Sequence, residues 1–583
     1  MTKALSTSST RPQQLLTRIL EEPELVSIVQ SLEAPVLSKL IDHIGLEDSG
    51  ELVALATTEQ LKQIFDEDLW KSQKPGKDAT FDAERFGLWL QVMMEAGVEF
   101  TAQKLTELDE DLVTLALCKH VLVINIDELA ERMSGNSRSD DDDLTDKALE
   151  SCLYEEFAEY QVIAKDHQSW DAIVAVLIEL DKNSHDFMTR MLDRCCYAST
   201  EYIEDNGGLH NVLSSEDMLE SDVAAEREDR REQEGYVAPS SAASFLNLAR
   251  VTPTEQLAAS QSRDHITQSY FRAVEAPRRG GPKKDAQALP QGAPGQMAQS
   301  EKVVRFLQEL REAEVLEEPR QHPLLAAGAR QEVRAEPLIK HAIAAVRERN
   351  LTAYLERLKE LSYLANVLMS GCSLGGRVFR PLEAADAAVA VCNLGLERLL
   401  REEAVGSAES EVTVAQAAEL LERQELVKLF QVGWSLLHQD VLLFTARSLQ
   451  DLLTRMASGL RDAQKVKELT RMAATLKADI NAGKPWQSRS RLDGLGLILD
   501  RSTLLSFKAL LSEYPFLPRA IADGSVDTTK REARFIFTAK HLQAVQDYLK
   551  GLGKEPASPS RGRPAAPAPA KESPPPEKDG RRR

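Results

Sequence analysis

A chain of 583 residues with 43% apolar and 28% charged side chains is long enough for two to four domains, each with its own core. Its formal charge of −21 argues against a general nucleic-acid binder, which needs clustered Lys and Arg to meet phosphates. Aromatics at only 5%, beside abundant Leu, Ala and Glu, favour helices over sheets, and no apolar run approaches the length of a membrane span.

The opening "MTKALSTSSTRPQQLL" has no apolar h-region, so a secretory signal is not expected and the cytoplasm is the expected compartment. The six cysteines (Cys118, Cys152, Cys195, Cys196, Cys372, Cys392) contain no C-x-x-C pair, which fits a reducing environment. Adjacent Cys195 and Cys196 raise a redox or soft-metal role, but the reading as small residues of a helical core is preferred.

The first region, 11–133, reads as a succession of short helices. Leu37, Leu40, Ile41 and Ile44 make one apolar stripe, and Gly45 suits its end. Asp48 with Glu51 looks like a capping pair, and Thr57 with Gln60 has the spacing of a capping box. Leu61, Ile64, Phe65 and Leu69 form the next stripe. Phe86, Trp89, Leu90 and Met93 form another, with Gly97 as its stop. "FDEDLW" at Phe65–Trp70 is echoed by "LDEDLV" at Leu108–Val113, and a period of about forty residues is typical of stacked helical repeats.

The acidic "SGNSRSDDDD", Ser134–Asp143, reads as an exposed loop without the central Gly of a calcium loop. Region 144–275 reads as helical throughout, including "YEEFAEYQVIAKDH" and the charged "SDVAAEREDRREQEGY", a solvated or partner-binding helix. Residues 276–300, rich in Pro, Gly and Gln, are expected to be a flexible linker. Arg278, Arg279, Lys283 and Lys284 give it a basic cast.

A helical C-terminal domain follows over 301–552. Leu351, Leu355, Leu358 and Leu361 are placed on one face of a helix, and Pro381 opens another. "SGCSLGGRVF", Ser370–Phe379, reads as a tight connection between helices, because it lacks both phosphate-loop patterns. Near the end one short strand is expected at "RFIF", pairing with Leu495–Leu499 in a small β-hairpin before a helix capped by Thr538. Residues 553–583 form a Pro-rich tail that is expected to be disordered.

Three groups carry candidate chemistry. Asp66 and Asp68, with Glu67 between them and Glu47 and Asp48 nearby, are the candidate ligands for a hard cation such as Mg2+ or Ca2+. The same acids fit the first turn of a helix, where the dipole favours negative charge, and that reading is preferred. Cys118 with His120 is a candidate nucleophile pair, and Cys372, Ser373 and Arg377 are the most reactive-looking trio of the C-terminal half. His43 lies beside the stripe of its helix and reads as a packed or surface histidine, and neither His120 nor His438 has a second histidine at metal-binding spacing.

The stretches Leu15–Trp70, Glu204–Pro239 and Leu361–Glu397 resemble an uncharacterised bacterial family, seen chiefly in deltaproteobacteria, that carries only a domain-of-unknown-function label. That resemblance implies no activity. The N-terminal third is also distantly similar to the superhelical N domain of MgtE-type magnesium channels, through short helices with turns like Leu108–Leu112. Together these readings give an all-α protein with a helical-repeat N-terminal half. The expected role is an intracellular scaffold or regulatory adaptor that binds another protein without catalysis, cofactor, nucleic acid or membrane insertion. The alternatives are a divalent-cation-responsive regulator using the acidic turns and an enzyme with a site at residues 372–377.

Overall fold

The computed structural model describes residues 12–22, 24–72, 74–125, 153–204, 214–260, 262–275, parts of 302–315, 337–403, 412–496, 499–522 and 534–552. The acidic run Asp140–Asp143, Cys152, the linker 276–300 and the tail 553–583 lie outside them. Two compact units divide the chain. The first is Met1–Leu246, Gln261–Arg334 and Ala365–Gly371; the second is Asn247–Ser260, Ala335–Leu364 and Cys372–Arg583. The fold is mostly α-helical with a few short strands, as the composition indicates.

In the first unit eight short helices come first: α1 (Pro12–Leu20), α2 (Leu25–Ser31), α3 (Ala34–Ile44), α4 (Gly50–Leu55), α5 (Thr58–Asp68), α6 (Ala83–Glu95), α7 (Val98–Glu107) and α8 (Glu110–His120). Each of the first four packs on the helix two places along the chain. Gly45 ends α3 at φ 105, where only glycine is at ease. The Thr57–Gln60 capping box forms in full, and Gln60 Nε2 also donates to Val29 O and Leu32 O, both at 2.8 Å. One side chain thus satisfies the open start of α5 and the open end of α2. The helix after Gly45 differs from expectation: it opens at Ser49, and Asp48 is exposed and plays no capping part.

A two-stranded ribbon, β1 (Trp70–Lys71) with β2 (Thr80–Phe81), follows α5. A larger departure from the helical reading comes after α8. Val121–Asn125 (β3), Tyr154–Phe157 (β4) and Tyr160–Ala164 (β5) form an antiparallel sheet of order β3-β5-β4. The stretch "YEEFAEYQVIAKDH" is therefore a hairpin, corrected from helix. Tyr160 and Val162 alternate inward, and Ala158 makes the turn at φ 50. Then come α9 (Trp170–Asn183), α10 (His185–Glu204), α11 (Ser215–Gln233), the first part of α12 (Pro239–Val251) and α14 (His265–Glu275), while α13 (Thr254–Ala259) belongs to the second unit. Helix α9 packs on α6 and α7, α10 on α8 and β3, and α11 on α8 and α14.

The second unit contains α15 (Leu338–Arg349), most of α16 (Leu351–Gly371), a hairpin of β6 (Ser373–Leu374) and β7 (Arg377–Val378), and α17 (Pro381–Glu403). After these come α18 (Val414–Arg423), α19 (Leu426–Leu436), a π-helical turn Leu437–Leu443, α20 (Phe444–Gly459), α21 (Ala463–Asn481) and a 3-10 segment Pro485–Leu495. It closes with α22 (Arg501–Leu510), β8 (Phe516–Leu517), α23 (Arg519–Ala522), β9 (Arg534–Phe535) and α24 (Ala539–Leu552). The strand at "RFIF" exists and Thr538 caps α24, but its partner is Phe516–Leu517, not Leu495–Leu499.

Helices α17 and α19 bring their backbones close together. A Cβ on Gly395 would stand 2.0 Å from Leu429 O, and one on Gly433 would stand 2.0 Å from Val391 O. The alanines of α17 serve the same end: Ala384, Ala387 and Ala388 are fully buried. No helix among the described residues is long and apolar enough to cross a membrane.

Candidate functional site

The acidic turn Asp66–Asp68 ends α5 rather than starting a helix, so the first-turn reading is corrected. At that end the helix dipole disfavours carboxylates, and cations must balance them. They do. Arg230 of α11 clasps Asp66 through Nε (2.9 Å) and Nη2 (2.8 Å), while Arg85 clasps Asp68 at 2.7 and 3.2 Å. Trp89 Nε1 adds a third bond to Asp68 at 2.6 Å, and Tyr236 OH donates to Glu67 at 2.9 Å. A cation at Asp66 or Asp68 would have to displace these guanidinium groups.

The echoed turn sits differently. Asp109–Asp111 opens α8, and Asp109 meets Lys62 at 3.3 Å and Arg230 at 3.5 Å. Arg230 therefore links both acidic turns. The charged helix α11 has found its partner within the chain. Beside Arg230, Arg227 stacks over Trp70 at 4.9 Å and donates to Asp66 O at 2.5 Å. Burial brings the Arg227 pKa down to about 10, the nearby charge of Arg231 adding to the effect.

Cys118 and His120 share α8 but do not pair. His120 Nε2 meets Ala83 O at 2.9 Å and Nδ1 meets Asp166 at 3.2 Å. Cys118 instead faces Cys195 of α10, with the two Sγ atoms 3.2 Å apart. Cys196, next along α10, is buried as well.

Nor does the trio at 372–377 converge. Cys372 is fully buried and burial raises its pKa well above the ordinary thiol value, while Arg377 is half exposed and clasps Glu383 at 2.7 Å. Ser373 donates through N (2.9 Å) and Oγ (2.8 Å) to Glu513. Gly375 and Gly376, at φ 62 and 92, form the two-residue turn of this hairpin, a conformation that glycine takes without strain.

A buried polar group missed in the sequence lies in the same unit. Arg250, 8% exposed, stacks over Trp486 at 4.3 Å, and its Nε has no hydrogen-bond partner among the described residues. His438, 7% exposed, stands in the π-helical turn, where such turns often mark a functional position. Burial, with a smaller push from the charge of Arg250, takes its pKa down to about 3, only partly opposed by the Gly483 backbone. Nothing in the spacing of these residues could have drawn them together before folding.

Helix α16 supplies the second surprise. Leu351 and Leu355 are 60% and 50% exposed, so the leucine stripe is corrected: it faces outward at its start. The buried face carries Ala353, Tyr354, Arg357, Glu360 and Leu361. Arg357 and Glu360 pair at 3.0 Å, and each also serves a backbone group, Gln424 O at 3.0 Å and Leu426 N at 2.6 Å. The pair is seated on the open start of α19, which explains its burial. Among the described residues nothing covers the outward leucines to the same degree.

Residues 3–206 match the model of a family of unknown function (DUF6178). The match accounts for the N-terminal part of the chain and brings no activity with it. No curated protein and no solved structure matches the chain.

Proposed function

We propose that the protein is a regulatory adaptor that captures an amphipathic helix of a partner protein on the outer face of α16. The observation that carries this reading is the inversion of that helix: large leucines outside, a charged pair inside. An exposed apolar pair at i and i+4 is the spacing at which a partner helix seats its own anchors. Leu351 and Leu355 are 60% and 50% exposed, so covering them would gain on the order of 1–2 kcal/mol each.

The reading takes the chain as a cytoplasmic protein of bacteria, in keeping with its buried free thiols. The likeness of the N-terminal helices to the N domain of MgtE-type channels belongs to it, as a stack of short helices offering a regulatory surface. The test replaces both leucines by glutamate. Partner capture should fall to background while the melting temperature stays within a degree or two of wild type. Unchanged capture by a folded double variant would reject the docking face.

A further inference from the structure

Neither the docking face nor the ion pairs use the thiols of Cys118 and Cys195. They come from α8 and α10, 77 positions apart in sequence, and rest with their Sγ atoms 3.2 Å apart. We propose that Cys118 and Cys195 are a redox-active dithiol that hydrogen peroxide converts into an intramolecular disulfide.

A disulfide needs its sulfurs at about 2.05 Å, so closure asks for roughly 1 Å of approach shared between two side chains. The two thiols are unequal. The hydrogen bond between them pulls Cys118 down in pKa, while burial and the charge of Glu216 oppose this and the charges of Lys165 and Arg194 add to it. Burial and the same bond push Cys195 up. Lys165 is held near by its own bond to Cys118 O, at 2.6 Å. We take Cys118, whose backbone Lys165 tethers, as the attacking sulfur and Cys195 as the resolving one.

The chemistry balances. The Cys118 thiolate attacks one peroxide oxygen; the S–O bond forms, the O–O bond breaks, and the departing hydroxide takes a proton to leave as water. Cys195 then attacks the sulfenic sulfur, the S–S bond forms, the S–O bond breaks, and a second water leaves. Two thiols lose two hydrogens, and one peroxide is reduced to two waters. With Cys195 already in contact, the sulfenic acid is captured before a second peroxide arrives. Cys118 is 3% exposed and Cys195 1%, so opening of the helices, not the sulfur chemistry, sets the rate.

The test treats the folded full-length chain with hydrogen peroxide, alkylates the remaining thiols in denaturant and maps the peptides without reduction. Wild type should lose two hydrogens, give a Cys118–Cys195 linked peptide, release it on reduction and melt at higher temperature when oxidised. The variant Cys196→Ser should keep the link. Cys195→Ser should lose it and leave a dimedone-reactive sulfenic acid on Cys118. Full alkylation of both Cys118 and Cys195 after peroxide, in wild type and in Cys196→Ser, overturns the proposal. So does a link that joins Cys152 or Cys196 instead.

Discussion

At Asp66 both carboxylate oxygens are bound by Arg230, and the residue is 8% exposed. Removing one partner strands the other charge, so Asp66→Asn or Arg230→Met should cost about 1–3 kcal/mol in urea unfolding. The lower part of that range suits Arg230, whose side chain is 37% exposed. Because the arginines already occupy Asp66 and Asp68, millimolar Mg2+ should leave the melting curve unchanged; a rise that disappears with Asp66→Ala and Asp68→Ala would favour the cation-responsive reading. His438 makes a pH prediction. Its folded pKa of about 3 lies below the ordinary 6.5, so as pH falls the unfolded chain takes up a proton that the folded ring refuses. Stability present above pH 6.5 is lost as pH falls from 6.5 towards 3, by up to ~1.4 kcal/mol per unit. His438→Gln should flatten that slope relative to wild type, and parallel curves would contradict it. Thr57 with Gln60 was legible because the partners lie three residues apart, whereas Asp66 and Arg230 are 164 apart and no local pattern joins them.

Among the elements, α17 and α19 depend on glycine where their backbones meet. Gly395→Ala gains helix propensity of at most about 1 kcal/mol, yet its Cβ would stand 2.0 Å from Leu429 O. The helices must part, and a net loss of about 1–3 kcal/mol should appear in thermal unfolding. Gly483→Ala tests a different cost. Its φ of 71 strains any Cβ although nothing crowds it, so a loss of about 1 kcal/mol is expected. The helices were readable from stripes such as Phe86, Trp89, Leu90 and Met93, all buried as placed. The sheet was not. Its strands are only four or five residues long, and "YEEFAEYQV" carries enough Glu and Ala to pass for a helix until β3 supplies a partner for β5. Leu351 and Leu355 misled for a related reason. A stripe shows which residues share a face, but tertiary packing decides which face is buried.

For the whole molecule, the division into two compact units does not follow the sequence in order, since residues 247–260 belong to the second unit and 261–334 to the first. Composition could not foretell that interleaving, because it records local sequence and not the long-range contacts that define a unit. What composition did convey was the helical class. The docking proposed for Leu351 and Leu355 requires a partner helix against position 355. The most direct measurement places a photo-crosslinking residue at position 355, with position 467 on α21 as an exposed control, in cells that make the protein. One protein should be cross-linked from 355 and not from 467, and should be lost when Leu351 is replaced by glutamate. Cross-links from 355 confined to the chain itself, or the same products from both positions, would contradict the docking.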